Sequence, residues 1–193
     1  AVIANMKLQS LSSCGDIAVS VYSGWLAYST FDHEWVKHQI EDTTVEEVLI
    51  KNWPGLHIEP LQAPENMEVL IGWTGSPASS PHFVSEVKRL KSDPSFYGDF
   101  LEDSHHCVEK LIHAFKTNNI KGVQKMVRQN RTIIQRMDKE ATVDIETEKL
   151  KYLCDIAEKY HGASKTSGAG GGDCGITIIN KDVDKEKIYD EWT

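Results

Sequence analysis

Apolar positions along this chain recur at two spacings, and the change from one to the other marks out its elements. Ile17, Ala18, Val21 and Tyr22 fall on one face at helical spacing, with Asp16 at the N-terminal end and Gly24 closing the segment. Residues 25–31 are rich in aromatic side chains and read as a strand. A polar stretch, a Val-Glu-Glu-Val-Leu-Ile run and the breaker Trp53-Pro54-Gly55 occupy residues 32–60. Met67–Trp73 reads as a buried strand and runs into Thr-Gly-Ser-Pro-Ala-Ser-Ser-Pro, a loop dense in turn formers.

The next eighty residues carry helical periodicity. Val108, Leu111, Ile112 and Phe115 make one apolar stripe; Val123, Met126, Val127, Ile134 and Met137 make a second; Leu150, Leu153, Cys154 and Ala157 make a third. All three are expected to face a core. A glycine-rich loop follows, then the strand-like Ile176–Ile179 and an amphipathic run ending at Thr193. Helices alternating with isolated strands predict an α+β fold. The boundary expected near Gln62-Ala63-Pro64 divides the chain into residues 1–61 and 62–193.

Composition narrows the function classes. No apolar run approaches the ~18–20 residues needed to cross a bilayer, and Ala1–Lys7 is too short and too weakly basic for a secretory signal. That opening reads as a helix or strand already under way, so a chain cut from a longer one is expected. A net charge of −8 opposes non-specific binding to nucleic acid or anionic lipid. Four scattered cysteines without a CxxC pair suggest neither a disulfide framework nor a zinc knuckle, which fits a reducing cytoplasm. His105, His106 and His113 lack a paired ligand set, so no metal site is expected there. Asp32-His33-Glu34 and the acidic patch from Glu41 to Glu47 read as solvated surface.

The most informative stretch is Lys165-Thr166-Ser167-Gly168-Ala169-Gly170-Gly171-Gly172-Asp173-Cys174-Gly175. Five glycines within eight residues cost backbone entropy, which points to positive φ or close backbone approach. Inward-turned N–H groups in such a loop form an anion-binding concavity, and Lys165, Thr166 and Ser167 would add charge and hydroxyl donors. It is not a Walker A loop, because Lys165 precedes the glycines, nor a dinucleotide turn, because a strand follows it. A flexible linker or a tight structural turn is the plain alternative.

The pattern K-x-S-G-A-G-G-G-D-C resembles the third conserved motif of the galactokinase, homoserine, mevalonate and phosphomevalonate kinase superfamily. The form ending GGGDCGI is similar to its phosphomevalonate kinase branch of bacterial type. Ser13-Cys14-Gly15-Asp16-Ile17-Ala18 is a second match. The resemblance implies that Asp16, at the head of a helix, lies beside the transferring phosphoryl group as catalytic base, paired with a lysine. By itself Asp16 reads as a helix cap. Residues 72–80 resemble the strand-to-loop element that opens the family's C-terminal domain, which makes Ser76, Ser79 and Ser80 candidate phosphate or substrate contacts beside Lys165, Ser167, Gly168, Ala169, Gly170, Gly171, Gly172 and Asp173. The bland reading of that loop is a capped surface turn. Asp173 has two readings, a hold on a substrate hydroxyl or a tie within the loop.

The resemblance implies the end of an N-terminal kinase domain over residues 1–61 and a C-terminal domain of antiparallel sheet packed with helices over 62–193. It further implies transfer of the ATP γ-phosphate, with Mg²⁺, onto 5-phosphomevalonate in the mevalonate route to isoprenoids. The family's P-x-x-x-G-L-G-S-S loop and N-terminal lysine are not in this sequence, so a C-terminal fragment, inactive alone, is expected. Its rivals are a kinase of the same superfamily acting on mevalonate or a sugar, and a non-catalytic anion-binding module.

Overall fold

The computed structural model describes residues 1–8, 12–77, 94–141, 143–168 and 170–193, and the chain divides into two compact units, Ala1–Ala63 and Pro64–Thr193. The first contains α1 (Val2–Met6), α2 (Gly15–Tyr22), β1 (Trp25–Ser29), α3 (His33–Asp42), α4 (Val45–Leu49) and β2 (His57–Leu61). β1 and β2 pair antiparallel, with Trp25 opposite Leu61 and Ser29 opposite His57. Met6, Cys14, Phe31 and Val36 form the buried centre, with Ile17, Trp35, Ile40 and Trp53 packed around it. Phe31 meets Trp53 edge-on at 5.1 Å, a favoured aromatic geometry.

The acidic residues of this unit lie at the surface as expected, and two of them also start helices. Asp32 accepts the Trp35 N–H at 3.0 Å and so caps α3. Thr44 and Glu47 form a reciprocal capping box on α4. The α2 stripe is only half used. Ala18 is buried, whereas Val21 is 72% exposed and Tyr22 52%. Both line an apolar groove of about 860 Å³ shared with Leu49, Trp53, Leu56 and Ile58.

The second unit holds β3 (Met67–Trp73), α5 (Pro94–Lys116), α6 (Ile120–Ala141), α7 (Glu148–Lys159), β4 (Ala163–Thr166), β5 (Cys174–Asn180) and α8 (Glu186–Trp192). Its antiparallel sheet runs β3-β5-β4, so the α+β class expected from the pattern is present here as a sheet packed with helices. β5 is central: Thr177, Ile178 and Ile179 are all buried, as both faces of a covered strand require. Leu70, Ile156, Ile179 and Ile188 form one core cluster, while Met137 and Ile145 join Phe96, Phe100, Ile134 and Val143 in another.

The third stripe is buried throughout. On α5, however, Val108 is 43% exposed and Cys107 only 1%. The α5 core line therefore runs through Phe100, Cys107 and Leu111, one position away from the side chain that hydropathy favours. A small buried thiol packs there as a weak apolar group, its Sγ donating to the Met126 carbonyl at 3.2 Å. Arg128 ties α6 to the turn after α7, donating to Glu158 and to the Gly162 carbonyl at 2.6 Å each. Among the described residues no helix is long and apolar enough to cross a membrane.

Candidate functional site

The glycine loop connects β4 to β5, whose ladder closes with Thr166 opposite Gly175 and with Ser167 N–H donating to the Cys174 carbonyl at 2.8 Å. Gly168, Gly170, Gly171, Gly172 and Asp173 all have positive φ (55°, 75°, 78°, 134° and 61°). This run turns the backbone back on itself within a few residues. The glycines are thus a requirement of the turn and not a flexible spacer.

Only some of its N–H groups are free for an anion. Gly170 N–H donates to the Ser167 carbonyl at 3.4 Å, Gly171 N–H to Ile145 at 2.7 Å and Asp173 N–H to Ser76 at 2.7 Å. Among the described residues, no protein acceptor is found for Gly168 or Gly172 N–H, nor a partner for the Ser167 hydroxyl. Such amides and a hydroxyl are the kind of donor a phosphate takes.

The floor beneath the loop is Ile145, which is 6% exposed. A β-carbon at Gly170 would lie 2.5 Å from the Ile145 carbonyl oxygen and against its Cγ2, so close approach as well as φ demands glycine there. On the other side, Thr74 N–H donates to the Asp173 carbonyl at 2.8 Å, extending the β3–β5 ladder past its last strand residue. Ser76 and the glycine loop are therefore adjacent. It is the Ser76 carbonyl that touches the loop, and Thr74 Oγ1 donates to that same carbonyl at 3.2 Å. Lys149 Nζ donates to the Thr74 carbonyl at 3.1 Å and places a cation at this edge. Ser79, Ser80 and Ala169 lie outside the described residues.

Of the two readings of Asp173, its backbone fills the second: both its N–H and its C=O tie the loop down, while the side chain stays exposed. Lys165 belongs to β4, and its ammonium donates to the Thr166 carbonyl at 2.6 Å. Burial pushes this lysine's pKa down, and the neighbouring Cys154 and Cys107 thiols partly offset that. The Thr166 hydroxyl is buried without a partner among the described residues.

Asp16 lies on the first unit. Its helix begins at Cys14, a left-handed residue (φ 59°, ψ 18°) that makes no side-chain cap bond. The carboxylate of Asp16 is exposed and makes no hydrogen bond or ion pair with any described residue, so Asp16 does not cap the helix. The turn before it is held from outside. Tyr28 Oη donates to the Ser13 carbonyl at 2.5 Å, Thr30 Oγ1 to the same oxygen at 3.1 Å, and the His33 ring meets the Ser12 carbonyl at 2.9 Å. Burial, then Cys14 and Asp16, push the Tyr28 pKa up, and a bond from Thr30 opposes them.

These contacts make Tyr28 a support for Asp16. Tyr28→Phe is expected to cost about 1 kcal/mol in unfolding free energy, the worth of one hydrogen bond. Any fall in turnover should vanish in an Asp16→Asn background, which a double-mutant cycle checks.

No cluster of three or more His, Cys, Asp or Glu occurs among the described residues. Mg²⁺ usually takes one or two carboxylates plus phosphate oxygens, and the unpaired Asp16 carboxylate suits that need. The sequence gives no signal for Ile145 or Lys149, and marks Thr74 only as part of the 72–80 loop. Ile145 acts through backbone atoms, Thr74 through its backbone as well as its hydroxyl, and Lys149 across 75 residues.

Comparison with known proteins follows this geometry. Residues 111–193 match the family described as GHMP kinases C terminal. The chain is 34% identical over 187 residues to a phosphomevalonate kinase of Streptomyces sp. (strain CL190), covering 96% of this chain and 50% of that protein. The crystal structure of a Lin0012 protein from Listeria innocua superposes with a TM-score of 0.92 at 39% identity, covering 99% of this chain and 54% of that one. Streptococcus pneumoniae phosphomevalonate kinase in complex with phosphomevalonate and AMPPNP gives 0.81 at 26% identity, covering 94% and 52%. The chain thus spans about half the length of the relatives it matches.

Proposed function

We propose that this chain, which belongs to the GHMP kinases and carries their C-terminal domain over residues 111–193, is part of an ATP-dependent kinase that phosphorylates 5-phosphomevalonate to 5-diphosphomevalonate. The observation that carries the reading is the glycine loop, where four glycines have positive φ and the Gly168 and Gly172 amides and the Ser167 hydroxyl have no partner among the described residues.

In this reaction an oxygen of the acceptor phosphate attacks the γ-phosphorus of ATP, the bond to the β-phosphate oxygen breaks, and ADP leaves. The second pKa of a phosphate monoester is about 6, so near neutral pH the attacking oxygen is already ionised. No proton has to be removed, and the work left to the protein is alignment and offsetting of charge. Gly168, Gly172 and Ser167 are assigned to hold a phosphate, and Lys165 stays on β4 with its ammonium on a carbonyl. Asp16 is assigned to orient a cation, either a lysine or Mg²⁺, and does not act as base. Mg²⁺ held with the help of Asp16 would offset the charge of the ATP phosphates. Four free cysteines suit a reducing compartment, and we place the enzyme in the cytoplasm.

The test is ADP release with mevalonate, 5-phosphomevalonate and 5-diphosphomevalonate, with and without Mg²⁺, by the protein that carries this chain. Turnover with 5-phosphomevalonate and Mg²⁺ alone is expected. Turnover with mevalonate alone would keep the superfamily and reject the acceptor, and none with all three would leave an anion-binding module.

A further inference from the structure

The glycine loop rests on Ile145, whose backbone N–H is held by the Asp138 carboxylate and whose neighbour Glu146 is anchored through its own carboxylate. Asp138, near the end of α6, accepts two successive backbone N–H groups, that of Ile145 on Oδ1 at 2.8 Å and that of Glu146 on Oδ2 at 3.0 Å. The Glu146 carboxylate, 4% exposed, is held on Oε1 by Arg131 Nε and on Oε2 by Gln135 Nε2, each at 2.5 Å. Arg131 also reaches Asp155 on α7 at 2.7 Å. Burial works against its charge, and the bonds to Glu146 and Asp155 overcome this and hold its pKa above the ordinary range. The Ile145 side chain is locked against Met137, and its carbonyl receives the Gly171 N–H at 2.7 Å.

We infer that Asp138 and Glu146 are positioning residues for the phosphate-binding loop, setting its open amides through the carbonyl of Ile145. This rests on the kinase reading for its functional consequence but not for its structural one. Three points of the 143–147 segment are fixed, two by Asp138 and one by the Glu146 side chain. The peptide between them has little freedom to rotate, and its oxygen is the acceptor that aims Gly171. The glycine backbone offers no side chain to hold itself, so its conformation has to be imposed from beneath. Both carboxylates are far from the loop in sequence, and neither touches a ligand in this account.

The test is site-resolved amide hydrogen exchange on the chain and on its Asp138→Asn, Asp138→Ala and Glu146→Gln variants. Gly171 N–H is expected to exchange at least about tenfold faster in each variant, and faster in Asp138→Ala than in Asp138→Asn, while the β5 amides of Ile176–Ile178 keep their protection. Unchanged exchange at Gly171 would overturn the inference. So would an equal rise at Gly171 and β5, because that pattern is general loosening of the fold. If Asp138→Ala does not fold, the two isosteric variants decide the matter. In turnover assays the same variants are expected to raise about tenfold the KM of whichever substrate's phosphate the loop holds, ATP or 5-phosphomevalonate, with much less change in kcat, since the loop holds that phosphate before and during transfer alike. The exchange measurement needs no substrate. A parent enzyme inert toward 5-phosphomevalonate would therefore sink the functional reading and leave this one standing or falling by itself.

Discussion

Gly170→Ala is expected to lower kcat/KM for 5-phosphomevalonate by roughly a hundredfold or more, the scale at which misplacement of about 1 Å acts. Two effects combine at this position. A residue with a β-carbon pays ~1–2 kcal/mol for left-handed φ, and Gly170 sits at φ 75°. The new carbon would also lie 2.5 Å from the Ile145 carbonyl oxygen, against backbone fixed by Asp138 and by the Met137 cluster. The floor cannot retreat, so the loop must lift and break the Gly171–Ile145 bond. Gly168→Ala supplies the control. It carries the same strain at φ 55°, but its β-carbon would meet none of the described residues within 4 Å. Kinetics and thermal unfolding of the pair separate contact from strain. Equal losses in the two variants would remove the close approach at Ile145 from the account.

Asp16→Asn is the second large effect. The side chain is exposed, has no partner among the described residues and keeps its shape as Asn, so the fold should survive the change. Stability should fall by no more than the ~0.3–1 kcal/mol of a charge near a helix N-terminus. Turnover should fall by about a hundredfold or more, as when one preorganised electrostatic contact is removed from a transition state. Because the acceptor oxygen is already ionised, the deficit should be the same at every pH from about 6 to 9. A base role has a different signature. The parent would then show an acid limb belonging to the aspartate, and that limb alone would be absent from the variant.

What was legible in the sequence follows from how each element signals itself. The third helical stripe announces itself because hydropathy and burial coincide there, and the glycine cluster does so because four positive-φ residues leave a compositional trace. Met67–Trp73 is a strand as expected but is not buried throughout: Met67 and Leu70 are buried, whereas Ile71 is 62% exposed and Trp73 67%, because successive side chains point to opposite faces of the sheet. β2 did not announce itself, since Pro60 interrupts a five-residue segment with only Ile58 and Leu61 as apolar side chains, in a strand that pairs with one neighbour in the two-stranded sheet. β4 was absorbed into the glycine loop because Ala163-Ser164-Lys165-Thr166 is short and without large apolar residues, its burial coming from packing by α6 and α7. Asp32 and Thr44-x-x-Glu47 carried capping signatures inside a patch whose charge density suggested plain solvent exposure.

The candidate site divides in the same way. Glycine and the Asp16 motif leave residue-type patterns, whereas Ile145 matters through a carbonyl that every amino acid possesses. Asp138 and Glu146 become visible only when the fold sets them beneath residues some thirty positions later. A hydrophobic side chain whose backbone is the functional part cannot be told from any other core residue in a sequence.

The measurement closest to the central claim follows phosphorus itself. ATP, Mg²⁺ and 5-phosphomevalonate are incubated with the protein that carries this chain, and the products are followed by ³¹P NMR. The account expects the monoester resonance of the acceptor to give way to two coupled resonances of a P–O–P diphosphate, in step with ADP. ADP without a new diphosphate, or a second separate monoester on the acceptor, would contradict transfer onto the phosphate.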